Sequence, residues 1–531
     1  TIFLIFVLLS SSISQNKNKA GWIPDNGDGT YKNPIIFADY SDPDVIRVGD
    51  DFYLTASSFN SIPGLPILHS KDLVNWKIIG HALPRQPPDD VFSRPQHGNG
   101  VWAPAIRFHN NHFYIFYGDP DFGIYMVKSR NAAGPWSEPL LVKPAKGWID
   151  PCPFWDDDGN GYLVHAWANS RSGIKSILTL NRMSPDGTKL LDEGKMIFVD
   201  RAHHPTIEGP KLYKRNGYYY IFAPAGGVAT GWQTVLRAKN IYGPYEDRIV
   251  MDRGETEING PHQGGWVELK SKESWFLHFQ DRGAYGRIVH LQPMSWSNDW
   301  PVIGIDKDGD GKGQPVTRHK KPDVGRKYQV VIPETSDEFQ GNKLGLQWQW
   351  HANPIDGWSS LTARRNMLRL FSVSPPVGSE NLWEVPNLLL QKLPAPNFTV
   401  TTSVDASHLL DGERTGLVMM GRDYSYIAIT RAVEGLRIIR ITCLDAAKNK
   451  SEKEDGSVDA NVKSVFLRMT LTDGGVGEFS YSRDGRTFEP LGEKFLARQG
   501  VWIGAKVGLF ALRNREAASH GYADFDWFRF E

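Results

Sequence analysis

The first 300 residues alternate between aromatic-rich apolar segments and turns at a regular spacing. Each unit begins with an aromatic and aliphatic strand, and a second apolar strand follows that ends at a turn such as Asp-Gly or Gly-Pro. The units recur about every 50–60 residues, a period typical of propeller blades with loops. Five such units predict a five-bladed β-propeller, and a large sandwich of repeated hairpins is the alternative. The aromatic strands are FYLTASS at 52–58, FYIFYG at 113–118, GYLVHAW at 161–167, YYIFAPA at 219–225 and WFLHFQD at 275–281.

The pattern changes at the basic, turn-rich segment RHKKPDVGRK, residues 318–327. Beyond it, short segments such as FTVTTSVDA alternate apolar and polar positions, and no stretch has a helical period. Strands at short intervals over about 200 residues predict a β-sandwich. We therefore expect an all-β protein with a propeller at 22–325 and a C-terminal sandwich at 334–531.

The first fifteen residues, TIFLIFVLLSSSISQ, hold an apolar run followed by small residues that include Ser12 and Ser14. The run is too short to span a bilayer, and this arrangement is typical of a secretory signal peptide. We expect part of a signal peptide at 1–15 and a secreted or periplasmic protein. A disordered or core-packed terminus is the alternative.

Charge and cysteine content exclude several classes of protein. Among the 531 residues, 60 Lys and Arg balance 60 Asp and Glu. A neutral chain carries no electrostatic footprint for nucleic acid or for an anionic membrane. The two cysteines, Cys152 and Cys443, fall in different predicted domains, which excludes a disulfide framework and argues against a single bridge.

Three acidic residues stand at matching places in three predicted blades. Asp42 lies in SDPDVI, Asp150 in GWIDPCPFW and Glu208 in HPTIEGPKLYK, each ahead of a recurring strand of its blade. Innermost strands line the axis of a propeller, so equivalent positions converge there. Carboxylates that share a pocket resist desolvation together and are costly unless they are used. Glycoside hydrolysis needs such a set, because one carboxylate activates water and one carboxylic acid protonates the leaving oxygen.

The surrounding motifs identify a family. The segments NPIIFADYSDPDVIRVGDDFYLTASSF, SKDLVNW, GVWAPAI, IDPCPFWDDDGNGYL and IEGPKLYKRNGYYY resemble glycoside hydrolase family 43, in its two-domain β-xylosidase and α-L-arabinofuranosidase branch. The C-terminal region resembles that branch's concanavalin A-like jelly roll. The resemblance implies that Asp42 is the general base, Asp150 raises and orients the acid, and Glu208 is the general acid of an inverting reaction. It gives Asp44 no chemical task.

The resemblance also implies several substrate-binding residues. Trp102 corresponds to an aromatic wall, Phe59 to its neighbour in the same subsite, and Arg287 to an arginine that reaches sugar hydroxyls. His262 corresponds to an axial histidine near a central calcium or ordered water. The alternatives are blade packing for Trp102, a surface position for Arg287 and a structural hydrogen bond for His262. No cofactor is expected for the chemistry, whereas a structural calcium is left open.

Other polar motifs have two interpretations each. His203 and His204, just before Glu208, either touch the sugar or stabilise a loop. The segment DKDGDGKG at 306–313 begins like a calcium loop, but Thr317 stands where the twelfth-position acid is expected, so we predict a turn. The segment DDDGNG at 156–161 is predicted as a hairpin turn.

These observations predict a secreted, exo-acting, inverting glycosidase that releases terminal β-D-xylose or α-L-arabinofuranose from plant cell-wall polysaccharides or oligosaccharides. The sandwich is expected to close one side of the pocket with a loop. One alternative is a non-catalytic glycan-binding protein on the same scaffold. Another is the retaining fructan-hydrolysing propeller family, disfavoured because Glu208 precedes glycine and not cysteine. The oligomeric state stays open.

Overall fold

A computed structural model describes residues 21–513 and 519–531. The predicted signal segment at 1–15 lies outside those residues. Five four-stranded antiparallel sheets are followed by two larger sheets, which confirms the five-bladed propeller and the C-terminal sandwich. The helices of the described chain are single turns: α1 (Asp89–Phe92), α2 (Asn169–Ser172) and three 3₁₀ turns at Gly283–Tyr285, Leu382–Glu384 and Ala446–Lys448.

Each propeller blade is a meander of four consecutive strands. A short strand β1 (Thr30–Lys32) precedes the blades. The blade strands are, in chain order, β2 (Asp44–Val48), β3 (Asp51–Thr55), β4 (Gly64–Ser70) and β5 (Trp76–Leu83); β6 (Trp102–His109), β7 (His112–Asp119), β8 (Gly123–Ser129) and β9 (Leu140–Pro144); β10 (Trp148–Trp155), β11 (Gly161–Trp167), β12 (Ile177–Met183) and β13 (Lys195–Val199); β14 (Lys211–Arg215), β15 (Tyr218–Ala225), β16 (Trp232–Ala238) and β17 (Glu246–Met251); β18 (His262–Glu268), β19 (Ser274–Asp281), β20 (Arg287–Ser297) and β21 (Trp300–Ile303).

The recurring aromatic strand is the second strand of each blade, so the expectation that it comes first is wrong. The strand before it is innermost, since the first strands of adjacent blades contact one another. The second strand is apolar on both faces because each face packs on a different neighbour. In β7, Phe113, Ile115 and Tyr117 join the cluster between blades 1 and 2. Tyr114 and Phe116 join the cluster between blades 2 and 3.

The ring closes without exchange of a blade strand. Strand β1 pairs antiparallel with β22 (Arg318–Lys320), which follows the last blade. Ile36 forms a bridge with Val289 of blade 5, and Tyr31 packs in the apolar cluster shared by blades 5 and 1. The N-terminal segment of the domain therefore fastens its last blade to its first.

The sandwich consists of a seven-stranded sheet and an eight-stranded sheet with one large core between them. The remaining strands are β23 (Gln349–Trp350), β24 (Ser359–Ser360), β25 (Leu368–Phe371), β26 (Leu389–Lys392), β27 (Phe398–Asp405), β28 (Arg414–Met420), β29 (Tyr424–Ala432), β30 (Gly435–Cys443), β31 (Lys453–Asp459), β32 (Ser464–Thr472), β33 (Val476–Ser482), β34 (Glu489–Pro490), β35 (Phe495–Leu496), β36 (Lys506–Leu512) and β37 (Tyr522–Phe530).

The two domains share a packed interface. Phe37, Tyr285 and Ile288 of the propeller belong to the apolar cluster that forms the sandwich core. The Tyr285 hydroxyl donates to the carbonyl of Pro396 at 2.8 Å. Cys152 and Cys443 are buried and unpaired, as expected. Within residues 21–513 and 519–531, no helix has the length and apolar character needed to cross a membrane.

Candidate active site

The three predicted acids line one pocket at the end of the innermost strands. Asp42 precedes β2, Asp150 lies in β10 and Glu208 precedes β14, and all three face about 500 Å³ of open space. A cavity of about 620 Å³ between the domains has only Glu334 as an acidic lining residue. A lone carboxylate cannot supply both an acid and a base, so the pocket with three acids is the candidate site.

Unusual backbone geometry aims these acids into the pocket. Asp42 and Asp150 have left-handed φ angles of 52° and 57°. Asp150 sits in a β-bulge of β10, and bulges of this kind redirect a side chain. Gly209 follows Glu208 with φ of 60°, and a Cβ there would lie 2.7 Å from the side chain of Gln263. Strained residues clustered at one site are typical of function.

Donors converge on both oxygens of Asp42, which is 5% exposed. Nη1 of Arg287 donates to Oδ1 of Asp42 at 3.0 Å and to the hydroxyl of Ser41 at 2.6 Å. Oδ2 accepts from the hydroxyls of Ser41 at 2.8 Å and Ser57 at 2.6 Å. Arg287 is therefore an ion-pair partner of Asp42 inside the pocket, not a surface arginine.

Asp150 and Glu208 have different surroundings. Burial raises the pKa of Glu208, and the charges of Asp150 and Asp42 raise it further. Burial also raises the pKa of Asp150, but the ammonium of Lys211 and the N–H of Gly209 oppose that effect. The Gly209 N–H donates to Oδ2 of Asp150 at 2.8 Å. The negative charge is therefore favoured on Asp150 and the proton on Glu208, whose side chain keeps 29% of its surface exposed.

Lys211 is a residue that the sequence analysis missed. It is fully buried at the start of β14, and its Nζ has no hydrogen-bond partner within the described chain. A buried ammonium without a partner is costly unless a nearby negative charge balances it. The three basic residues of the segment KLYKR are typical of a solvated strand, and two of them, Lys214 and Arg215, are indeed partly exposed. The one available signal was the position of Lys211 three residues after Glu208.

His262 is near the acid without lining the pocket. Its Nε2 lies 3.5 Å from Oε1 of Glu208, and neither ring nitrogen has a hydrogen-bond partner among the residues described. Burial lowers the pKa of His262 to about 3, so the imidazole is neutral. Among the described residues, the cluster of three side chains that could together hold a metal ion consists of Asp306, Asp308 and Asp310, and it does not include His262. A calcium role for His262 stays a prediction.

Aromatic side chains wall the pocket from both domains. Phe59 and Trp102 line it from the propeller, and the Trp102 Nε1 donates to the carbonyl of Gly98 at 2.7 Å. Trp502 lines it from the sandwich, and the guanidinium of Arg287 lies 5.7 Å from its ring centroid. The sequence predicts a sandwich loop here but does not single out Trp502.

Several other candidate residues are structural. His204 is buried, with Nε2 2.8 Å from Oδ2 of Asp247, and His203 is exposed, with Nδ1 2.9 Å from Oδ2 of Asp200. Neither histidine lines the pocket, so the loop interpretation holds. The N–H of Asp156 donates to the carbonyl of Asn160 at 2.9 Å, which makes the predicted hairpin turn.

The calcium-like segment is held as a turn by its own backbone. Oδ1 of Asp306 accepts from the N–H of Gly309 at 2.7 Å, and Oδ2 accepts from the N–H of Gly311 at 2.9 Å. The carboxylates of Asp308 and Asp310 are exposed. These hydrogen bonds account for the spacing of the motif without a ligand.

Asp44 has a structural partner. Its side chain is fully buried, and Oδ2 accepts from the N–H of Ile106 at 2.8 Å and from Nη1 of Arg107 at 2.6 Å. Nη2 of Arg107 also lies 3.0 Å from Sγ of Cys152 in blade 3. Asp44 therefore joins the inner strands of the first three blades and does not face the pocket.

Comparisons with known proteins agree with this site. Residues 31–301 match Glycosyl hydrolases family 43, and residues 336–531 match the beta xylosidase C-terminal concanavalin A-like domain. A relative from Xylanibacter ruminicola, provisionally named a beta-xylosidase, is 40% identical over 492 residues, 92% of this chain and 87% of the relative. A non-reducing end alpha-L-arabinofuranosidase from Bacteroides ovatus is 29% identical, covering 94% of each chain. The crystal structure of a variant GH43 protein from Bacillus licheniformis superposes with a TM-score of 0.82 at 28% identity, over 94% of this chain and 99% of that one.

The chain belongs to glycosyl hydrolase family 43. It is a glycosidase that acts on glycans, of the β-xylosidase and α-L-arabinofuranosidase type, and enzymes of this family need no cofactor for the hydrolysis. The enzymatic interpretation is confirmed over the non-catalytic glycan-binding alternative.

Proposed function

We propose that this protein removes single terminal pentose units from plant cell-wall glycans by an inverting mechanism. The observation that carries the proposal is the contrast between two carboxyl groups of one pocket. Asp42 is ion-paired with Arg287 at 3.0 Å, whereas the pKa of Glu208 is raised by burial and by neighbouring negative charge. One group is thus disposed to accept a proton and the other to donate one.

The reaction is a single displacement. Asp42 takes a proton from a water molecule as the water oxygen bonds to the anomeric carbon of the terminal sugar. The bond from that carbon to the leaving oxygen breaks, and Glu208 gives its proton to that oxygen. Solvent then returns the proton from Asp42 to Glu208. Base and acid should lie roughly 6.5–9.5 Å apart to leave room for the water.

Asp150 acts on the acid and not on the sugar. Its carboxylate is tied to the N–H of Gly209, next to Glu208, at 2.8 Å. Its negative charge makes ionisation of Glu208 more costly, which keeps Glu208 protonated at neutral pH. The same hydrogen bond fixes the backbone from which the acid projects.

The pocket walls support removal of one terminal sugar. Trp102 and Trp502 bring aromatic surface from two domains to one space, and aromatic rings suit the C–H faces of a pyranose or furanose. Arg287 reaches the same space beside Asp42 and can hold a sugar hydroxyl. A site closed by the second domain on one side fits a chain end better than the middle of a polymer.

The named relatives support both xylose and arabinose as the released sugar, because they include β-xylosidases and α-L-arabinofuranosidases. The test is a panel of 4-nitrophenyl β-D-xylopyranoside, 4-nitrophenyl α-L-arabinofuranoside, xylo-oligosaccharides and arabinose-decorated xylo-oligosaccharides. We expect monosaccharide release from at least one pentoside class, with shortening from the non-reducing end. Internal cleavage that yields only oligosaccharides would contradict exo action.

We also propose that the protein is exported, on the strength of the apolar run and small residues at 1–15. Expression of the complete gene in its native host should place the protein outside the cytoplasm, with the N-terminus of the mature chain beyond this segment. Cytoplasmic protein that retains the segment would contradict export.

A further inference from the structure

The loop that carries Trp502 into the pocket has a strained backbone. Trp502 has a left-handed φ of 61°, and its side chain remains 53% exposed. A bulky residue rarely adopts this conformation, and the conformation persists only where surrounding contacts fix it. Burial of the ring does not provide that restraint, so the contacts of the neighbouring backbone must.

The propeller holds this sandwich loop from two sides. On one side, the N–H of Ala505 donates to the carbonyl of Ala284 at 2.7 Å. Gly504 packs so closely that a Cβ there would lie 2.7 Å from the N atom of Gly286. On the other side, a Cβ on Gly98 would lie 2.7 Å from the carbonyl oxygen of Val501. The close approach of two backbones at each side requires glycine.

One carboxylate joins this loop to the catalytic side of the pocket. Asp39 is 4% exposed; its Oδ1 accepts from the N–H of Arg287 at 2.9 Å, and its Oδ2 accepts from the N–H of Gly504 at 2.9 Å. Arg287 in turn donates to Asp42. The Asp39 carboxylate thus links two backbone positions: Gly504, at the end of the loop just before β36, and Arg287, the arginine beside the base.

The charge of Asp39 is matched across the domain interface. Burial lowers the pKa of Lys392 and of Lys506, both in the sandwich, and the negative charge of Asp39 opposes that effect. The Lys506 ammonium also donates to the hydroxyl of Ser61 in the propeller. Two lysines of the sandwich, of which Lys506 is buried and Lys392 is partly buried, therefore have their charged forms favoured by the buried Asp39 carboxylate of the propeller.

We propose that Asp39 is a positioning residue for the substrate pocket. By accepting from both Arg287 and Gly504, it sets the distance between Trp502 of the sandwich and the Asp42–Arg287 pair of the propeller, and so determines the affinity for the terminal sugar. This inference rests on the proposed function of the pocket, because it concerns how that pocket holds its substrate.

A double-mutant cycle of Asp39→Asn and Trp502→Ala tests the proposal in the full chain. Asparagine keeps the shape but has one accepting oxygen, so one of the two N–H groups loses its acceptor. With the aryl pentoside that the wild type cleaves faster, each single variant should raise KM about tenfold and change kcat less than threefold. Because both act through the same ring, the double variant should have a KM no higher than the worse single variant.

A matched control is Asn353→Ala. Asn353 also joins the domains, with Oδ1 accepting from the N–H of Gln86 and Nδ2 donating to its carbonyl, both at 2.9 Å, but it does not line the pocket. This variant should lower the melting temperature and leave KM within about twofold of wild type. A purely structural role for Asp39 would give the same result for Asp39→Asn, which would overturn the proposal.

If the KM increases caused by Asp39→Asn and Trp502→Ala multiply in the double variant, the proposal is also overturned. If Asp39→Asn does not fold, Gly504→Ala replaces it, since the added methyl group displaces the loop from Gly286 while Asp39 stays. The same non-additive rise in KM is then expected, and additivity contradicts the proposal. If the wild type cleaves neither aryl pentoside, the proposed function fails by itself, and calorimetric binding of D-xylose and L-arabinose to the same variants decides the positioning role.

Discussion

Oδ2 of Asp150 accepts a 2.8 Å hydrogen bond from the backbone N–H of Gly209, the residue that follows Glu208. This contact fastens a carboxylate of blade 3 to the acid of blade 4. It brings two carboxyl groups together in a buried pocket, and that arrangement is useful only where one of them must keep its proton.

Asp150→Asn removes the negative charge of this residue but keeps its hydrogen bond to Gly209. The amide oxygen can still accept from Gly209, but the negative charge that raises the pKa of Glu208 is gone. The pKa of Glu208 then falls, and Glu208 loses its proton at lower pH. We expect the alkaline limb of kcat/KM for xylobiose or an alkyl pentoside to move to lower pH. An unmoved alkaline limb with an intact fold would refute the electrostatic role of Asp150.

Lys211→Met should shift the same alkaline limb. The Lys211 ammonium lowers the pKa of Asp150 against the effect of burial. Without it the pKa of Asp150 rises, so Asp150 carries less of the negative charge that raises the pKa of Glu208, and the alkaline limb of kcat/KM moves to lower pH. Lys211→Arg, which keeps the charge, is the control and should stay close to the wild-type profile. Equal profiles for the methionine and arginine variants would contradict the counter-charge role.

Glu208→Gln should have an effect that depends on the leaving group. General acid catalysis is worth about 10²–10⁴-fold where the leaving oxygen needs a proton. We expect a loss of that size on unactivated oligosaccharides and a much smaller loss on 4-nitrophenyl pentosides. The ratio of the two losses is the measurement, with melting temperatures as the control. Equal losses on both substrates would argue against leaving-group protonation by Glu208.

Asp42→Asn and Asp44→Asn should differ in kind. Loss of the base should lower kcat by about 10²–10⁴-fold. The fold should tolerate it, because relief among three crowded acids offsets the lost ion pair with Arg287, which still lies near the charges of Asp150 and Glu208. Asp44→Asn breaks the ion pair between fully buried Asp44 and partly buried Arg107, which should cost about 3 kcal/mol of stability. The variant should retain kcat per folded molecule. Chemical unfolding measures the stability change, and kcat referred to the folded fraction measures the catalytic change; a reversed pattern would contradict the assignment.

Removal of residues 334–531 should disable the propeller. The deletion uncovers Phe37, Tyr285 and Ile288, which pack in the sandwich core, and it removes Trp502 from the pocket. We expect aggregation or a loss of activity. A stable, fully active propeller alone would show that the sandwich is dispensable.

The sequence was sufficient for the architecture and the three acids because both depend on repetition. Five aromatic strands define five blades, and acids at matching blade positions must converge on the axis. The order of strands within a blade was not predictable in this way. A strand such as Phe113–Gly118 is apolar on both faces wherever two neighbours cover it, and the pattern alone does not tell the first strand from the second.

The remaining site residues depend on contacts between distant segments. Trp502 lies in the other domain, and only the packing of propeller Gly98 against Val501 and of sandwich Gly504 against Gly286 brings it to the pocket. Lys211 stands in a run with two more basic residues, and burial alone distinguishes it. Asp44 was noticed, but its partner Arg107 is 63 residues away in the next blade.

Proton NMR of the first sugar released from 4-nitrophenyl β-D-xylopyranoside, or from the α-L-arabinofuranoside if that is the better substrate, tests the roles of Asp42 and Glu208 most directly. A single displacement by water predicts that the first-formed sugar has the anomeric configuration opposite to that of the substrate, with the original anomer appearing only later by mutarotation. Initial appearance of the substrate's own anomer would mean a covalent intermediate and would contradict the proposed division between base and acid.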